Sequence, residues 1–391
     1  MPKTRIAYLL THPIQYQVPM IRYLNQDPEL YVKAFYCSDI SVKEYLDVGF
    51  GKKIEWDIPL LDGYDYEFLP AYGAKTSITF ARPFNYGLMR FLKQGRFDAL
   101  WLHGCSRLIC MQVMVIAKIC GIKVLIRDEV WEKSKKRSSV NHWLKKIWYR
   151  LLNKFAEAFL AIGRCNKEYY MANGIDEKNI FTVPYVVDND FFQRRCDLAD
   201  TEKLRKELGI ACDQKVILYA SKLSSRKKIL DLISSFDILL KLCSSQIKPF
   251  LLIVGSGEQE TQAGEMISNM GLSSLVHMAG FKNQTELPAY YKLCDVFVLP
   301  SENEAWGLVV NEAMNCGAAI VASDEVGAAY DLVKNGQNGY IFKTCDINDL
   351  AEKLYFALSN SRQFGVRSRA IIDAWSFDQV ATGIKQATRK A

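Results

Sequence analysis

The chain has 391 residues, 49% of them hydrophobic, and a formal net charge of +7 at pH 7. This length exceeds one compact core, so two domains are expected, and the hydrophobic fraction excludes an intrinsically disordered chain. No apolar run reaches the length of a membrane-spanning helix, and the modest positive charge gives only weak support for a polyanionic partner.

Short apolar runs alternate with helical patterns through the first half of the chain. Strands are predicted at residues 6–10, 31–36, 99–102, 124–126 and 158–162. Helices are predicted between them at residues 20–25 and 108–120, and this alternation favours a doubly wound parallel sheet. Residues 40–83, which are rich in Gly, Tyr and Asp, match no element and are interpreted as a long excursion over the first domain.

The second half repeats the alternation. Strands are predicted at residues 216–220, 250–254, 276–280, 296–299, 319–322 and 339–342, with a helix at residues 229–243. Two similar α/β halves are therefore expected. Residues 183–188 resemble the interdomain crossing of a known two-domain family, which implies a linker near residues 184–200.

An acidic stretch at residues 300–307 joins the predicted strand 296–299 to a helical pattern. A strand-to-helix loop of this kind lies at the carboxyl edge of a parallel sheet, where open α/β sheets bind ligands. The backbone N–H groups of Trp306, Gly307 and Leu308 would be free at the helix start and would hold an anion such as a diphosphate.

Two carboxylates mark this stretch. Glu304 lies in the loop, and Glu312 lies about two turns into the helix. Like charges repel, so these groups suit the hydroxyls of a sugar and a ribose rather than the anion itself. The alternative is that both acids only favour a helix start electrostatically.

The run from residue 301 to residue 327 resembles the Glu-x7-Glu signature of the family-4 retaining glycosyltransferases. The resemblance implies the α/β GT-B fold, in which two Rossmann-like doubly wound domains face a central cleft. It places an acceptor-side domain at residues 1–190 and a nucleotide-sugar domain at residues 191–372. A helix at residues 373–391 would cross back to the first domain.

The same resemblance implies a nucleotide-sugar donor, with a UDP-sugar expected, and a glycan or lipid-linked acceptor in polysaccharide or lipopolysaccharide biosynthesis. No metal or other cofactor is expected, and no Asp-x-Asp motif stands at a plausible donor site. The resemblance implies catalytic roles for Glu304, Lys222 and Lys227, and Arg127 and His103 are further catalytic candidates. It implies donor binding by Glu312, Trp306, Gly307, Leu308, Gly255 and Gly257, and His12 and Gln15 are further donor-binding candidates.

The lysines fall where the family carries a basic pair that clamps the donor diphosphate. Fixed cations at that place stabilise the negative charge on a departing nucleotide. Lys222 keeps the charge of the more common arginine but lacks its bidentate fork. The neighbouring Arg226 and Lys228 are interpreted as surface charges.

The amino-terminal side departs from the family pattern. Residues 11–17 replace a Gly-rich loop, so His12 is either a contact to acceptor or phosphate or a structural histidine, and His103 carries the same alternatives. Arg127 stands near the place of a histidine that touches the donor sugar in relatives, and it is a candidate for phosphate or acceptor binding.

Residues 131–155 form a basic segment that also carries tryptophans. Its cations and tryptophans are Trp131, Lys133, Lys135, Lys136, Arg137, Trp143, Lys145, Lys146, Trp148, Arg150 and Lys154. From residue 140 onward, apolar residues recur at helical spacing and make one stripe. A basic amphipathic helix is typical of a surface that lies on anionic lipid. The alternative is a stripe packed on the domain core.

The eleven cysteines are scattered, without the short spacings of a zinc site. Reduced thiols without a disulfide framework are expected. The first apolar run, residues 6–10, is too short for the h-region and cleavage site of a signal peptide. A cytoplasmic protein is therefore predicted, peripheral at the inner face of the cytoplasmic membrane if the basic segment binds lipid. No nucleic-acid-binding motif is apparent.

Three rival interpretations stay open at this point. A nucleotide-sugar epimerase or a sugar phosphorylase could use much of the same GT-B scaffold. An inactive GT-B relative could serve as a scaffold subunit, although both signature glutamates and the basic pair are present.

Overall fold

The computed structural model describes residues 2–72, 78–135, 138–243 and 247–390. Contacts between residues divide the chain into two compact units. The first unit consists of Met1–Tyr45, Ile58–Val187 and Ser376–Ala391, and the second consists of Leu46–Asp57 and Asp188–Trp375.

The elements of the described residues alternate in type along most of the chain. The strands are β1 (Thr4–Leu10), β2 (Leu30–Tyr36), β3 (Tyr45–Asp47), β4 (Lys52–Ile54), β5 (Tyr66–Phe68), β6 (Ala71–Tyr72), β7 (Phe84–Asn85), β8 (Ala99–His103), β9 (Lys123–Arg127), β10 (Ala158–Ala161), β11 (Ile180–Thr182), β12 (Gln214–Ala220), β13 (Lys248–Val254), β14 (Val276–Gly280), β15 (Val296–Leu299), β16 (Ala319–Ser323) and β17 (Gly339–Phe342). The helices are α1 (Gln17–Gln26), α2 (Leu88–Gly95), α3 (Leu108–Ile119), α4 (Ser139–Leu152), α5 (Arg164–Ala172), α6 (Asn189–Leu198), α7 (Thr201–Glu207), α8 (Ile229–Leu242), α9 (Glu260–Asn269), α10 (Leu287–Leu293), α11 (Leu308–Asn315), α12 (Ala329–Leu332), α13 (Ile347–Ser359), α14 (Ser361–Asp373) and α15 (Phe377–Lys390).

The first unit is built on a seven-stranded sheet in the order β11-β10-β9-β8-β1-β2-β5. Neighbouring strands are parallel. The chain order reverses between β1 and β8, which makes a topological switch point where ligands bind in such folds. The central strands are buried along their length because helices cover both faces of a parallel sheet.

The second unit has a six-stranded parallel sheet in the order β14-β13-β12-β15-β16-β17. This is the doubly wound nucleotide-binding order, with its switch point between β12 and β15. Helices α8 and α13 pack on one face of this sheet, and Ile233, Phe236 and Leu354 are fully buried there. Each such side chain contributes about 1.5–3 kcal/mol by leaving water, so the sheet edge that carries the loops rests on a rigid core.

Most predicted strands and helices are confirmed, with ends that differ by a few residues. The interpretation of residues 40–83 as an excursion over the first domain is wrong in part. Strand β5 joins the edge of the first sheet, whereas Leu46–Asp57 packs with the second unit. Residues 73–77 of that segment lie outside the described residues. The predicted cleft between the domains stays a prediction.

Helix α15 belongs to the first unit, where it packs against β10 and β11. Its Gly383 lies so close to β11 that a Cβ atom would stand 2.1 Å from the Thr182 carbonyl oxygen. Lys385 Nζ lies 2.7 Å from Asp27 Oδ2 at the end of α1. The last helix is thereby fixed to the unit that contains the first strand.

One pair of cysteines contradicts the expectation of reduced thiols. Cys196 in α6 and Cys316, next to the end of α11, form a disulfide bond, and the other nine cysteines take part in no disulfide bond. The two residues are 120 positions apart in sequence and their Cα atoms lie 5.8 Å apart. The sequence gives no local spacing from which this pair could be inferred.

Helix α4 carries apolar residues on two faces. The inner face buries Tyr149 and Leu152. The outer face exposes between 41% and 65% of five apolar residues: Val140, Trp143, Leu144, Ile147 and Leu151. The alternative in which the whole stripe packs on the core is therefore wrong. Lys136 and Arg137 of the basic segment lie outside the described residues.

Within the described part of the chain, no helix combines the length and the apolar character needed to cross a membrane.

Candidate functional site

The loops after β12 and β15 lie side by side at the switch point of the second sheet. The first loop, residues 221–228, ends in a short 3-10 turn, Ser225–Lys227, before α8. The second loop, residues 300–307, leads into α11. A hydrogen bond of 2.8 Å from the Glu302 N–H to the Arg226 carbonyl joins the two loops. Residues far apart in sequence thus share one sheet edge.

The start of α11 depends on Gly307. Its φ of 96° is left-handed, and a Cβ atom there would stand 2.8 Å from Leu299 Cδ2, so a larger residue would be strained. The N–H groups of Gly307, Leu308 and Val309 donate to no acceptor among the described residues. Together with the helix dipole, such groups favour an anion.

Trp306 holds this helix start in place through its side chain. The indole Nε1–H donates to Asn311 Oδ1 at 2.9 Å, and the ring stacks on Trp375 with centroids 5.7 Å apart. The side chain is buried, so any ligand contact of Trp306 would come from its backbone.

Glu304 is held between two cations from the neighbouring loop. Its Oε2 lies 2.5 Å from Lys227 Nζ and 3.1 Å from Arg226 Nη1. The Glu304 and Lys227 side chains are only 13% and 11% exposed. Burial alone would raise the pKa of Glu304, but Lys227 and Arg226 outweigh it and lower the pKa. Glu304 is therefore a carboxylate.

The interpretation of Lys228 as a surface charge is wrong, whereas the Arg226 side chain is 46% exposed. Arg226 contacts Glu304, as described, and also donates to the Asn303 carbonyl at 3.2 Å. Lys228 Nζ lies 2.8 Å from Glu302 Oε2, and both side chains are mostly buried. Consecutive lysines and arginines after a strand are typical of a solvated loop. The ion pairs of Arg226 with Glu304 and of Lys228 with Glu302 could therefore not be inferred from the sequence.

Glu312 lies in a different environment from Glu304. It is buried in α11 and accepts a hydrogen bond of 2.7 Å from the hydroxyl of Tyr291 in α10. Burial raises the pKa of Glu312 to about 7, although the Tyr291 hydrogen bond lowers it in part. The two signature glutamates therefore have pKa values shifted in opposite directions.

Lys222 extends from the other end of its loop and meets a partner from Leu46–Asp57. Its Nζ lies 2.7 Å from Asp47 Oδ1 and 4.6 Å from the centroid of the Phe50 ring. The Lys222 side chain is 38% exposed, so part of it is open to solvent.

The glycine turn after β13 supports the loop that carries Lys222. A Cβ atom on Gly255 would stand 1.9 Å from the Ser221 carbonyl oxygen, and one on Gly257 would stand 2.6 Å from the Leu223 carbonyl oxygen. In this structure the close backbone approach at both glycines is therefore to the protein's own loop. Their predicted contact with the donor stays a prediction.

In the first unit, His103 lies at the end of β8 in a cluster of polar side chains. Its Nε2 lies 2.6 Å from Glu129 Oε1 and 3.2 Å from the Tyr185 hydroxyl. Its Nδ1 lies 3.2 Å from the Tyr8 hydroxyl, and Gln17 Nε2 lies 3.0 Å from His103 Nε2. The Tyr185 hydroxyl also donates to Glu129. The cluster surrounds the switch point of the first sheet.

The structure corrects the prediction for Arg127. Its side chain is 1% exposed and donates to the carbonyls of Val183 and Pro184 at 3.2 and 3.1 Å. The guanidinium also lies 4.3 Å from the centroid of the Tyr185 ring. Arg127 therefore anchors the chain after β11 rather than reaching phosphate or acceptor.

The remaining predicted residues lie before α1. His12 Nδ1 lies 2.9 Å from the hydroxyl of the neighbouring Thr11, and Gln15 is half-buried in the turn that precedes α1. Both residues belong to the first unit, whereas Glu304, Glu312 and the donor lysines belong to the second.

Several residues of these clusters were missed by the sequence reasoning: Gln17, Asp47, Glu129, Tyr185, Arg226 and Tyr291. Glu129 could have been predicted from the sequence, because a carboxylate just after a predicted strand lies at the ligand-binding edge of a parallel sheet. Asp47 left none, since its segment matched no element. Among the described residues, no group of three or more His, Cys, Asp or Glu side chains is arranged to hold a metal ion.

The second unit therefore combines a helix start with unused N–H groups, a cationic loop and two carboxylates at one sheet edge. Amides and ammonium groups can hold a diphosphate, and carboxylates can accept hydrogen bonds from hydroxyls. This combination suits a ligand that is anionic in one part and rich in hydroxyl groups in another.

Comparison with known proteins agrees with this arrangement. Residues 200–373 match the family model described as Glycosyl transferases group 1. A Campylobacter jejuni relative, N,N'-diacetylbacillosaminyl-diphospho-undecaprenol alpha-1,3-N-acetylgalactosaminyltransferase, is 28% identical over 235 residues, which cover 59% of each protein. The matched part of this chain spans about half the length of the curated relatives it matches.

Two solved structures share the fold over nearly the whole chain. A glycosyltransferase from Rickettsia africae superposes with a TM-score of 0.74 at 15% identity and covers 99% of this chain and 98% of its own. Anabaena HepE in complex with UDP and glucose superposes with a TM-score of 0.70 at 18% identity, covering 99% and 100%. The predicted GT-B fold is therefore confirmed, and residues 200–373 of the chain match the group 1 glycosyltransferases.

Proposed function

We propose that this protein is a retaining, hexosyltransferase-type glycosyltransferase that transfers a sugar from a UDP-sugar to a glycan or lipid-linked acceptor. One observation carries the proposal. The N–H groups of Gly307–Val309, which donate to no acceptor among the described residues, lie at the same sheet edge as the cationic loop at residues 222–227. The match of residues 200–373 to the group 1 glycosyltransferases supports the same reaction.

In the proposed reaction, the helix start and the two lysines bind the diphosphate of the donor. An acceptor hydroxyl attacks the anomeric carbon on the face from which the nucleotide leaves, and its proton passes to the leaving phosphate. Negative charge grows on that phosphate in the transition state, where Lys222, Lys227 and the amides near Gly307 stabilise it. No metal ion is required because these fixed positive groups supply the charge.

The carboxylates have separate tasks in this scheme. Glu304 is kept ionised by Lys227 and Arg226, so it accepts hydrogen bonds from the hydroxyls of the transferred sugar. Glu312, on the same helix as the anion site, accepts from the ribose hydroxyls. The ribose donors would replace water as partners of a buried carboxylate and would favour its ionised form.

We propose that the His103 cluster of the first unit recognises hydroxyl groups of the acceptor. Glu129 is the carboxylate of that cluster and is 37% exposed, and its Oε1 contacts both His103 and Tyr185. A carboxylate held by two donors is fixed in orientation, which suits recognition of a sugar hydroxyl. The name of the Campylobacter relative gives a diphospho-undecaprenol-linked sugar as its acceptor, which supports a lipid-linked acceptor here.

A nucleotide-sugar panel tests the donor assignment. We expect a rise in melting temperature with UDP and UDP-sugars, and transfer of labelled sugar to a lipid-linked oligosaccharide with retention of the anomeric configuration. Lys227→Ala should abolish most of the transfer, whereas Lys241→Ala, which removes a lysine that is 72% exposed on α8, should leave it intact.

The same assay separates the rival functions. An epimerase would convert the donor without an acceptor, and a phosphorylase would require inorganic phosphate. A scaffold subunit would show no thermal shift with any nucleotide. Each of these results would overturn the proposal, as would a product with inverted anomeric configuration.

We also propose that α4 binds the anionic inner face of the cytoplasmic membrane. Its five exposed apolar residues would enter the headgroup region, and the neighbouring Lys146 and Arg150 would contact lipid phosphates. This orientation would keep the enzyme beside a lipid-linked acceptor and on the side of the membrane that holds nucleotide-sugars.

Vesicle sedimentation tests this surface. Trp143→Ser should weaken binding to phosphatidylcholine vesicles that contain phosphatidylglycerol by roughly tenfold, as expected for the loss of one buried aromatic side chain. Leu198→Ser is the matched control, because Leu198 is an 85% exposed leucine that is not part of α4. Equal binding of the two variants would contradict the proposal.

A further inference from the structure

The segment Leu46–Asp57, named the strap, packs on the second unit although its neighbours in sequence, Tyr45 and Ile58, belong to the first unit. Most of strand β3 and all of β4 lie in the strap and form a separate two-stranded sheet. The strap therefore brings residues of the amino-terminal half to the loops that carry the donor lysines.

Three groups of contacts fix the strap. Ser256 Oγ donates to the Phe50 carbonyl at 3.1 Å, within the glycine turn. The Phe50 ring packs edge-on against Phe281, with centroids 4.9 Å apart. At the other end, Asn283 Nδ2 donates to the Glu55 carbonyl at 2.7 Å. The hydrogen bonds from Ser256 and Asn283 do not involve Lys222, whereas the Phe50 ring also lies 4.6 Å from the Lys222 ammonium group.

A single carboxylate oxygen of Asp47 both contacts Lys222 and accepts hydrogen bonds within the strap. Asp47 Oδ1 lies 2.7 Å from Lys222 Nζ. The same oxygen accepts hydrogen bonds from the N–H groups of Gly49 and Phe50, at 2.8 and 3.1 Å, and so closes the turn of the strap. The negative charge on Asp47 thus neutralises a cation of the proposed donor site.

We infer that the strap is an internal gate, in which Asp47 occupies Lys222 in place of the donor diphosphate and gives it up when the donor binds. The inference rests on the proposed function of Lys222. A diphosphate next to Lys222 would be repelled by the Asp47 carboxylate, so the two anions compete for one ammonium group. Because the Lys222 side chain is partly exposed, a diphosphate can reach it without unfolding the strap.

The relative strength of the contacts supports release at Asp47 alone. A partly exposed ion pair is weak and easily exchanged, whereas the backbone hydrogen bonds at Phe50 and Glu55 lie away from the lysine. Donor binding would therefore free the Asp47 side chain and loosen the turn it closes, while the rest of the strap stays attached.

Asp47→Asn is the decisive variant, because the amide oxygen can still accept from Gly49 and Phe50 while the charge is lost. By calorimetry, we expect about threefold tighter binding of UDP and of inorganic pyrophosphate, which is about 0.7 kcal/mol at 1.4 kcal/mol per tenfold. In a Lys222→Ala background the same change should have no effect. Unchanged or weaker binding by Asp47→Asn would overturn the gate.

Asp237→Asn controls for the change in net charge, since Asp237 pairs with Lys241 on the surface of the same unit. It should leave binding unchanged; an equal gain would also overturn the gate. Hydrogen exchange of the wild-type strap gives a measurement without a variant. Pyrophosphate should speed exchange at the Gly49 and Phe50 amides, and unaltered exchange would contradict the gate.

The transfer assay separates this inference from the proposed function. Sugar transfer with equal pyrophosphate affinity in wild type and Asp47→Asn would refute the gate and leave the function standing. Tighter pyrophosphate binding by Asp47→Asn without transfer by any variant would support the gate and refute the function. If neither protein binds UDP or pyrophosphate, both are refuted.

Discussion

Glu312 gives the sharpest test of the site because its environment predicts a pH-dependent stability. Burial raises the pKa of Glu312 from an ordinary 4.5 to about 7 in the folded protein. In the unfolded chain the carboxyl returns to its ordinary value. Between these values the folded state holds a proton that the unfolded state has released, so stability falls as pH rises through this window.

The magnitude follows from the two pKa values. At 1.36 kcal/mol per pH unit, the difference between 4.5 and about 7 corresponds to roughly 3 kcal/mol of lost stability at high pH. Glu312→Gln cannot ionise, and its amide oxygen can still accept from Tyr291. The variant should therefore gain roughly 2.5 kcal/mol on wild type between about pH 5 and about pH 8.

Urea unfolding of both proteins across that pH range measures the difference directly. Glu352→Gln is the control, because Glu352 is an exposed glutamate on α13, and its difference from wild type should stay constant with pH. If the difference between Glu312→Gln and wild type is also constant, Glu312 titrates normally and the buried environment described here is wrong. Nucleotide binding by the variant should be weaker if Glu312 accepts from a ribose.

Three further predictions concern other parts of the molecule. Lys227→Ala should slow transfer by about 10²–10³-fold and lower the free energy of unfolding by about 3 kcal/mol, because Glu304 loses its closest partner; an unchanged single-turnover rate would contradict its role. Cys196→Ser should lower the free energy of unfolding by about 4 kcal/mol in non-reducing buffer and have little effect in reducing buffer; equal stability in both buffers would show that the disulfide bond is not formed. Glu129→Gln should raise the KM for acceptor without changing UDP affinity, and a changed UDP affinity would exclude an acceptor role.

The sequence was sufficient for the sheets because their signals are local. Buried parallel strands are continuous apolar runs, as at residues 250–254 and 296–299, and Gly307 between a loop and a helical pattern marks a helix start. The strand order could then be inferred from the resemblance to a known fold. The carboxyl edges of β12 and β15 carry the predicted donor residues for this reason.

The pairings around the site could not be inferred, because they depend on contacts between distant segments. Nothing local links Asp47 to Lys222, or Cys196 to Cys316. Arg127 is the opposite case, because its position at the end of a strand suggested that it binds an anion. In the structure its guanidinium is buried and donates hydrogen bonds to two backbone carbonyls. Only the three-dimensional arrangement distinguishes a cation that is available to a ligand from one whose hydrogen bonds are made to the protein backbone.

The cations at the switch point of the second unit differ in how firmly the protein holds them. The pair of Lys227 with Glu304 is mostly buried at 2.5 Å, and separating it would leave a desolvated charge. The pair of Lys222 with Asp47 is more exposed on the lysine side, so its separation costs less. A diphosphate should therefore displace Asp47 and leave Glu304 in place. Under the proposed function, that order of events would keep Glu304 fixed for the sugar while Lys222 becomes available for the phosphate. The cations of the loop would then be neutralised by carboxylates of the protein until the donor binds.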